Sequence, residues 1–237
     1  MNFKKLTNIF SSKIKPEIIL HRGIKIPIDE NVISPGIAEK LRRGRYENNE
    51  ADQLKKIIMK DEVILEIGGG IGFISCIAAL NPNTRSVEVF EANPNLKPLI
   101  EAVHALNGVT GVTINTGVLM HHITSGTVPF YLHKDFWASS LSPRGGNLQK
   151  VEVPTFCFNS TIEKIRPTLI ICDIEGGEMD LFEHANLDGV EKVLIEIHQK
   201  VVGGANIKRL FDMFSERNFH YNQQHSCGSV VLFSRVA

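Results

Sequence analysis

The stretch VILEIGGGIG, residues 63–72, decides the fold. Val63 to Ile67 is an apolar run broken only by Glu66, which predicts a buried strand. It ends in Gly68-Gly69-Gly70, and a helical pattern from Gly72 to Leu80 follows, stopped at Asn81-Pro82. A strand, a glycine turn and a helix in immediate succession form the first half of a βαβ unit. Gly68 and Gly70 allow backbone conformations with positive φ and let the main chain approach a ligand. Gly72 is expected to permit close packing of the helix.

Working outward, the same alternation continues. Ser86–Glu91 reads as a second strand, Pro94–Asn107 as a helix and Val112–Asn115 as a third strand. Thr168–Asp173 and Glu191–His198 read as strands four and five, with a short helix at Glu178–His184 between them. A helix at Ala205–Asn218 precedes two closing runs, Phe219–Gln224 and Ser229–Val236, that have no helix between them. The pattern predicts an α/β fold: a doubly wound, mostly parallel sheet with helices on both faces. The closing pair must form a hairpin, which places one antiparallel strand in the sheet. Such a hairpin separates the class I methyltransferase version of a Rossmann-like fold from an ordinary dinucleotide-binding fold, and that version is the expectation here. Residues 117–167 interrupt the rhythm as a β-rich insert, read here as free of helix, with β-like runs at Thr127–His133 and Val151–Phe156. An insert of that length is expected over the carboxyl ends of the strands, where such sheets bind ligands. The chain divides into a basic N-terminal appendage or substrate-side cap, residues 1–50, and a catalytic domain, residues 51–237.

Composition bounds the rest. A chain of 237 residues with 43% hydrophobic and 22% charged residues can bury a full core without metal or disulfide. Cys76, Cys157, Cys172 and Cys227 form no CxxC pair and read as thiols of a reducing compartment. No apolar run approaches the roughly 18 residues of a membrane span. The first twenty residues lack the uninterrupted core of a signal peptide, so a cytoplasmic location is expected. Net charge is zero, yet residues 1–45 hold ten Lys/Arg against four Asp/Glu. A solvated basic surface accounts for this, and contact with an anionic acceptor or surface is the sharper reading. With no basic stripe interleaved with aromatics, nucleic acid is not expected as a partner. The sequence is compatible with a homo-oligomer and does not specify one.

Two acidic features carry the chemistry. Glu91 ends the second strand 21 residues after Gly70, where a carboxylate can accept hydrogen bonds from both ribose hydroxyls of a nucleoside cofactor. The G-x-G-x-x-G dinucleotide spacing fails, because Phe73 stands where the third glycine would be. With Glu66 placed to pair with an ammonium group, the loop suits S-adenosylmethionine (SAM). Expected cofactor contacts are Glu66, Gly68, Gly70, Glu91, Ala92, Val118 and Asp173. The second feature is Asp173-Ile174-Glu175-Gly176-Gly177-Glu178, directly off the fourth strand. Alternation puts Asp173 and Glu175 on one side, and Glu196 and His198 share a face of the neighbouring strand. Methyl transfer to a hydroxyl needs positioning and a proton acceptor. His198 is the first candidate base, with Asp173 or Glu175 orienting acceptor or base. Trp137, Ser140, Arg144, Glu178 and Glu196 are candidate acceptor contacts. No metal ligand is assigned, although the same Asp, Glu and His side chains suit Mg²⁺ or Mn²⁺ as a secondary reading.

The chain resembles the FkbM family of methyltransferases from about Tyr46 to Val236. The resemblance rests on YENNEADQL (46–54), VILEIGGGIG, VFEANPN (89–95), VTINTGVL (112–119), Ser139-Ser140-Leu141, CDIEGGEMDLF (172–182) and VLIEIH (193–198). It departs at Glu66 and Gly69, where the family carries Asp and Ala, at Ile171, where a Lys is common, and at Phe158-Asn159 in place of Leu-Asp. The resemblance implies O-methylation of sugars, polyketides or similar hydroxylated metabolites. Other readings are N-methylation, methylation of a phosphate-type oxygen, and a non-catalytic SAM-binding scaffold.

Overall fold

The computed structural model describes residues 16–123, 126–143 and 148–236. It begins with a tight hairpin, β1 (Ile18–His21) and β2 (Ile24–Pro27), paired from Ile18↔Pro27 to His21↔Ile24. Both turn residues, Arg22 and Gly23, have positive φ, the geometry that matches the twist of a two-residue hairpin. Helices α1 (Pro35–Arg42) and α2 (Asn48–Ile57) follow. Proline at the first turn of α1 gives up an amide that would have had no partner.

The βα rhythm then runs β3 (Glu62–Ile67), α3 (Phe73–Leu80), β4 (Thr84–Glu91), α4 (Lys97–Leu106) and β5 (Val112–Thr116). The insert contributes β6 (Val118–Met120), β7 (Thr127–Leu132), a single 3-10 turn at Phe136–Ala138, and β8 (Gln149–Cys157). Helix α5 (Phe158–Ile165) leads into β9 (Leu169–Cys172), followed by α6 (Glu178–Phe182) and β10 (Lys192–Glu196). The chain closes with α7 (Gln199–Val202), α8 (Gly204–Glu216), β11 (Phe219–Tyr221) and β12 (Val230–Arg235).

The main sheet has seven strands in the order β11-β12-β10-β9-β3-β4-β5, and β12 is antiparallel to both of its neighbours. β3, β4, β5, β9 and β10 are mutually parallel. The doubly wound architecture and the single antiparallel strand expected from the sequence are both present. One face of the sheet packs against α1 to α4 and the hairpin, through residues such as Ile26, Leu41, Leu54, Phe73 and Ile100. The other packs against α5, α6 and α8, where Phe214 stacks on Phe233 at 4.2 Å. Each such side chain contributes about 1.5–3 kcal/mol by leaving water.

Two elements depart from expectation. The insert was expected to contain no helix, yet Phe158–Ile165 forms one. Phe158 and Ile162, one turn apart, are buried against the sheet, and this apolar pair outweighs the β-branched run before it. Residues 16–49 are built into the fold as well. Ile19, Ile24, Ile33 and Ile37 join the same core as β3 and β4, and Asn107 pairs with both backbone groups of Lys25.

Candidate active site

Strands β3 and β9 lie side by side while their onward connections run to opposite faces, which leaves a crevice at their carboxyl ends. A cavity of about 1020 Å³ opens there. Gly68, Gly70, Glu91, Ala92 and Val118 line one end; Asp173, Glu175, Glu196 and His198 line the floor; Phe136, Trp137 and Ser139–Ser142 from the insert form a wall. The insert therefore does cover the strand ends.

The glycine loop is shaped by what touches it. A Cβ on Gly68, whose φ is +90°, would lie 1.9 Å from the Asp173 carbonyl oxygen, so only glycine lets β3 and the β9 loop meet. At Gly72 a Cβ would meet Ile100 at 2.9 Å. The close approach expected at Gly72 is therefore made to helix α4. Glu91 Oε2 accepts the Gly70 amide at 2.8 Å and Oε1 accepts the Asn93 amide at 2.7 Å. Burial raises the Glu91 carboxyl to about 7, against the opposing pull of these and neighbouring amides.

Glu66 is not where the sequence reading put it. It is 2% exposed and absent from the cavity wall. Its side chain turns under the loop to Ser75, and burial pushes its carboxyl well above the usual range. Ser75 in turn meets His104 Nε2 at 3.0 Å. Strand alternation gives the reason: Ile67 faces the cavity, so Glu66 faces the helix layer. The acid that does reach the cavity beside Gly70 is Glu47, bonded to the Tyr46 hydroxyl and held in a left-handed conformation with φ of 44°. A Cβ on Gly70 would sit 3.4 Å from the Tyr46 hydroxyl and 3.7 Å from Glu47 Oε1. Sequence reasoning gave these two residues no role. Their only signal was the Tyr46-Glu47 pair opening the family-like lead-in.

On the floor, the four polar groups expected to converge do so, with His198 at the centre. Its Nε2 lies 3.4 Å from Glu175, 3.7 Å from Asp173 and 3.9 Å from Glu196. Its Nδ1 is 3.1 Å from Glu178 Oε1. Burial works to lower the imidazole's proton affinity; the Glu178 hydrogen bond and the charges of Asp173, Glu175 and Glu196 overcome it and raise the group to about 9. Asp173 is pushed well above its usual range, first by burial and then by the charge of Glu196. Glu178, expected to contact the acceptor, is 1% exposed and off the cavity wall. As the first residue of α6 it turns inward, so it aligns His198 instead.

Of the remaining acceptor candidates, Trp137 lines the cavity at 49% exposure. Ser140 is buried in the wall, donating its hydroxyl to the Ser142 carbonyl at 2.6 Å. Arg144 lies outside the described residues, as do Lys4, Lys5, Lys13 and Lys15 of the basic segment.

With the geometry in view, the Methyltransferase FkbM domain model matches residues 66–221 of this sequence. The chain belongs to the FkbM methyltransferase family. It is a SAM-dependent methyltransferase, and the glycine cradle with the buried carboxylate of Glu91 fastened to it fits that cofactor. Among solved structures it is similar to Trm5b from Pyrococcus abyssi, with a TM-score of 0.51 and 14% identity over 94% of this chain. The FkbM chain spans 56% of the length of that protein. A Pyrococcus horikoshii transferase gives a TM-score of 0.50 at 12% identity, covering 94% of this chain and 73% of its own. At these identities the likeness shows the fold alone. No curated protein matches the sequence. No helix among the described residues is long and apolar enough to cross a membrane.

Proposed function

We propose that this FkbM protein methylates a hydroxyl oxygen of a saccharide or a related polyhydroxylated metabolite. The carrying observation is the floor of the cavity, where acids and one imidazole surround the space beside the cofactor loop. Among the described residues the wider wall adds Glu47, Glu50, Asp180 and Glu183, with Lys40 and Arg45 as the fixed cations. A wall of this charge repels phosphate backbones and offers acceptors for the hydroxyl donors of a sugar. It supports a neutral or cationic acceptor over an anionic one, and over a nucleic acid.

In this reading Glu91, Ala92 and Val118 hold the nucleoside end of the cofactor, the Gly68–Gly70 backbone cradles it, and Glu47 with Asp173 faces its amino-acid end. The cofactor supplies an electrophilic methyl carbon on sulfur. The protein's task is to align the acceptor oxygen and remove its proton. Both ring nitrogens of His198 already face carboxylates, so we assign proton acceptance to Glu175, with His198 and Asp173 aligning the acceptor oxygen. Glu178 fixes the imidazole. Residues 37–50 and the described residues of the 117–167 insert, Trp137 among them, form the acceptor-side cap.

The test is incubation with ¹³C-methyl SAM and a panel of saccharides, amino sugars and short RNAs, read by NMR. A methyl ether carbon on a sugar is the expected product. Methylation confined to RNA would overturn the reading.

A further inference from the structure

We propose that Asp173, Glu196 and His198 form a binding site for one divalent cation, of the Mn²⁺ or Mg²⁺ class, at the floor of the cavity. The inference rests on reading the cavity as the methyl-transfer site, since it gives the cluster a role in holding the acceptor oxygen.

The first observation is spacing. One ligand atom from each of the three residues lies within 4.8 Å of the other two. An octahedral cation with ligands about 2.1 Å away separates neighbouring ligand atoms by about 3 Å and opposite ones by about 4.2 Å. His198 Nε2 stands 3.7 Å from Asp173 Oδ1 and 3.9 Å from Glu196 Oε2. Both distances fall between those limits, and both exceed the roughly 2.7–3.2 Å of an N–H···O bond. The nitrogen thus faces Asp173, Glu196 and Glu175, the last nearest at 3.4 Å, at spacings that a shared cation would satisfy.

The second observation is independent of the cluster's charge. His198 is fixed from behind by Glu178, 1% exposed, whose Oε1 takes Nδ1 at 3.1 Å. The other oxygen of Glu178 is buried and has no hydrogen-bond partner among the described residues. Burying a carboxylate with so little compensation is costly, and a buried carboxylate on Nδ1 is the arrangement that presents Nε2 to a metal. Glu196 is fixed as well, since its Oε1 accepts the Ser229 hydroxyl at 2.9 Å and Oε2 is the atom nearest the imidazole. Asp173 is held through its backbone amide, which donates to the Ile67 carbonyl at 2.9 Å.

Two carboxylates and one imidazole leave open positions on such an ion. The imidazole favours Mn²⁺ over Mg²⁺. An acceptor hydroxyl in an open position becomes more acidic: its O–H bond breaks, the proton passes to Glu175, and the oxygen's lone pair forms the new C–O bond as the methyl C–S bond breaks.

The test uses the full-length protein without SAM or acceptor, titrated with MnCl₂ by calorimetry and by the fall of the free Mn²⁺ electron-spin-resonance signal. The expected result is one Mn²⁺ per chain with micromolar affinity. Asp173→Asn and His198→Ala should weaken it at least about 50-fold, and Glu178→Gln, which loosens the carboxylate that orients the imidazole, by about 10-fold. Nitrogen coupling to the bound ion should vanish in His198→Ala. Circular dichroism and thermal melting in EDTA report whether each variant is folded, and SAM titration in EDTA adds a second check for His198→Ala and Glu178→Gln. Protein that binds SAM in EDTA but takes up neither Mn²⁺ nor Mg²⁺ at millimolar concentration would overturn the cation site and leave the methyltransferase reading intact. Uptake that His198→Ala leaves unchanged would overturn it too.

Discussion

The two ends of the cavity are built from different materials. The cofactor end is mostly backbone: a glycine turn held between Asp173, Val89 and Ile100, with one carboxylate fastened by amides. The acceptor end is side chains, four carboxylates around one imidazole, walled by an insert and an N-terminal segment. Backbone geometry suits a ligand that never changes, and side chains suit one that varies among relatives. If this division is right, damage at one end should leave the other measurably intact.

The largest effect should come from Gly68→Ala. The added carbon would collide with the Asp173 carbonyl at 1.9 Å and strain a φ of +90°. We expect SAM affinity to fall at least 100-fold in calorimetry, with a lowered melting temperature. Next, His198→Ala should reduce kcat at least about 100-fold, since misplacing an acceptor oxygen by about 1 Å costs that much, while KM for SAM changes less than about threefold. A matching loss of SAM affinity would break the comparison.

Glu91 sharpens it through pH. Its carboxyl is raised to about 7, and the ionised form is the better acceptor for ribose hydroxyls. SAM should therefore bind more tightly as pH rises through 7 and level off above about 8. Glu91→Ala should bind about 10–100-fold more weakly, with that dependence gone. Trp137→Ala, at the half-exposed rim, should raise only the acceptor's KM, by about 3–10-fold, with kcat near wild type.

The smallest effect concerns the support beneath the loop. His104 is buried against Ser75, and burial lowers it to about 4. Its folded value lies below its unfolded value of about 6.5. The stability it contributes is complete above pH 6.5 and is lost as pH falls towards 4. Replacing His104 with Asn should flatten the fall in melting temperature across that window.

The sequence made some of this legible and hid the rest for physical reasons. The β3 turn was readable because three glycines after a buried strand admit few conformations, and Glu91 because a strand end at that distance has one place to go. The convergence on His198 followed from period-two alternation in two adjacent strands. Alternation could not say which face of β3 met the helices, so Glu66 was assigned to the cofactor when it supports the loop from behind. Glu178 failed for a similar reason, since a helix's first residue can turn either way. Helix α5 is only eight residues long and follows a nine-residue strand, so local propensity was outvoted by its neighbour. The hairpin's alternating isoleucines, Ile24 and Ile26, carried a signal that the basic charge of the segment obscured. Tyr46 and Glu47 lie before the glycine loop in sequence and beside it in space, a long-range contact that no local pattern encodes.

The most direct test of the account is a side-by-side SAM titration of the wild-type protein and His198→Ala, with methyl transfer to the identified acceptor assayed on the same preparations. The account predicts equal SAM dissociation constants, within about twofold, and a turnover reduced at least 100-fold in the variant. Equal turnover, or SAM affinity lost together with activity in folded protein, would contradict the separation of cofactor and acceptor ends.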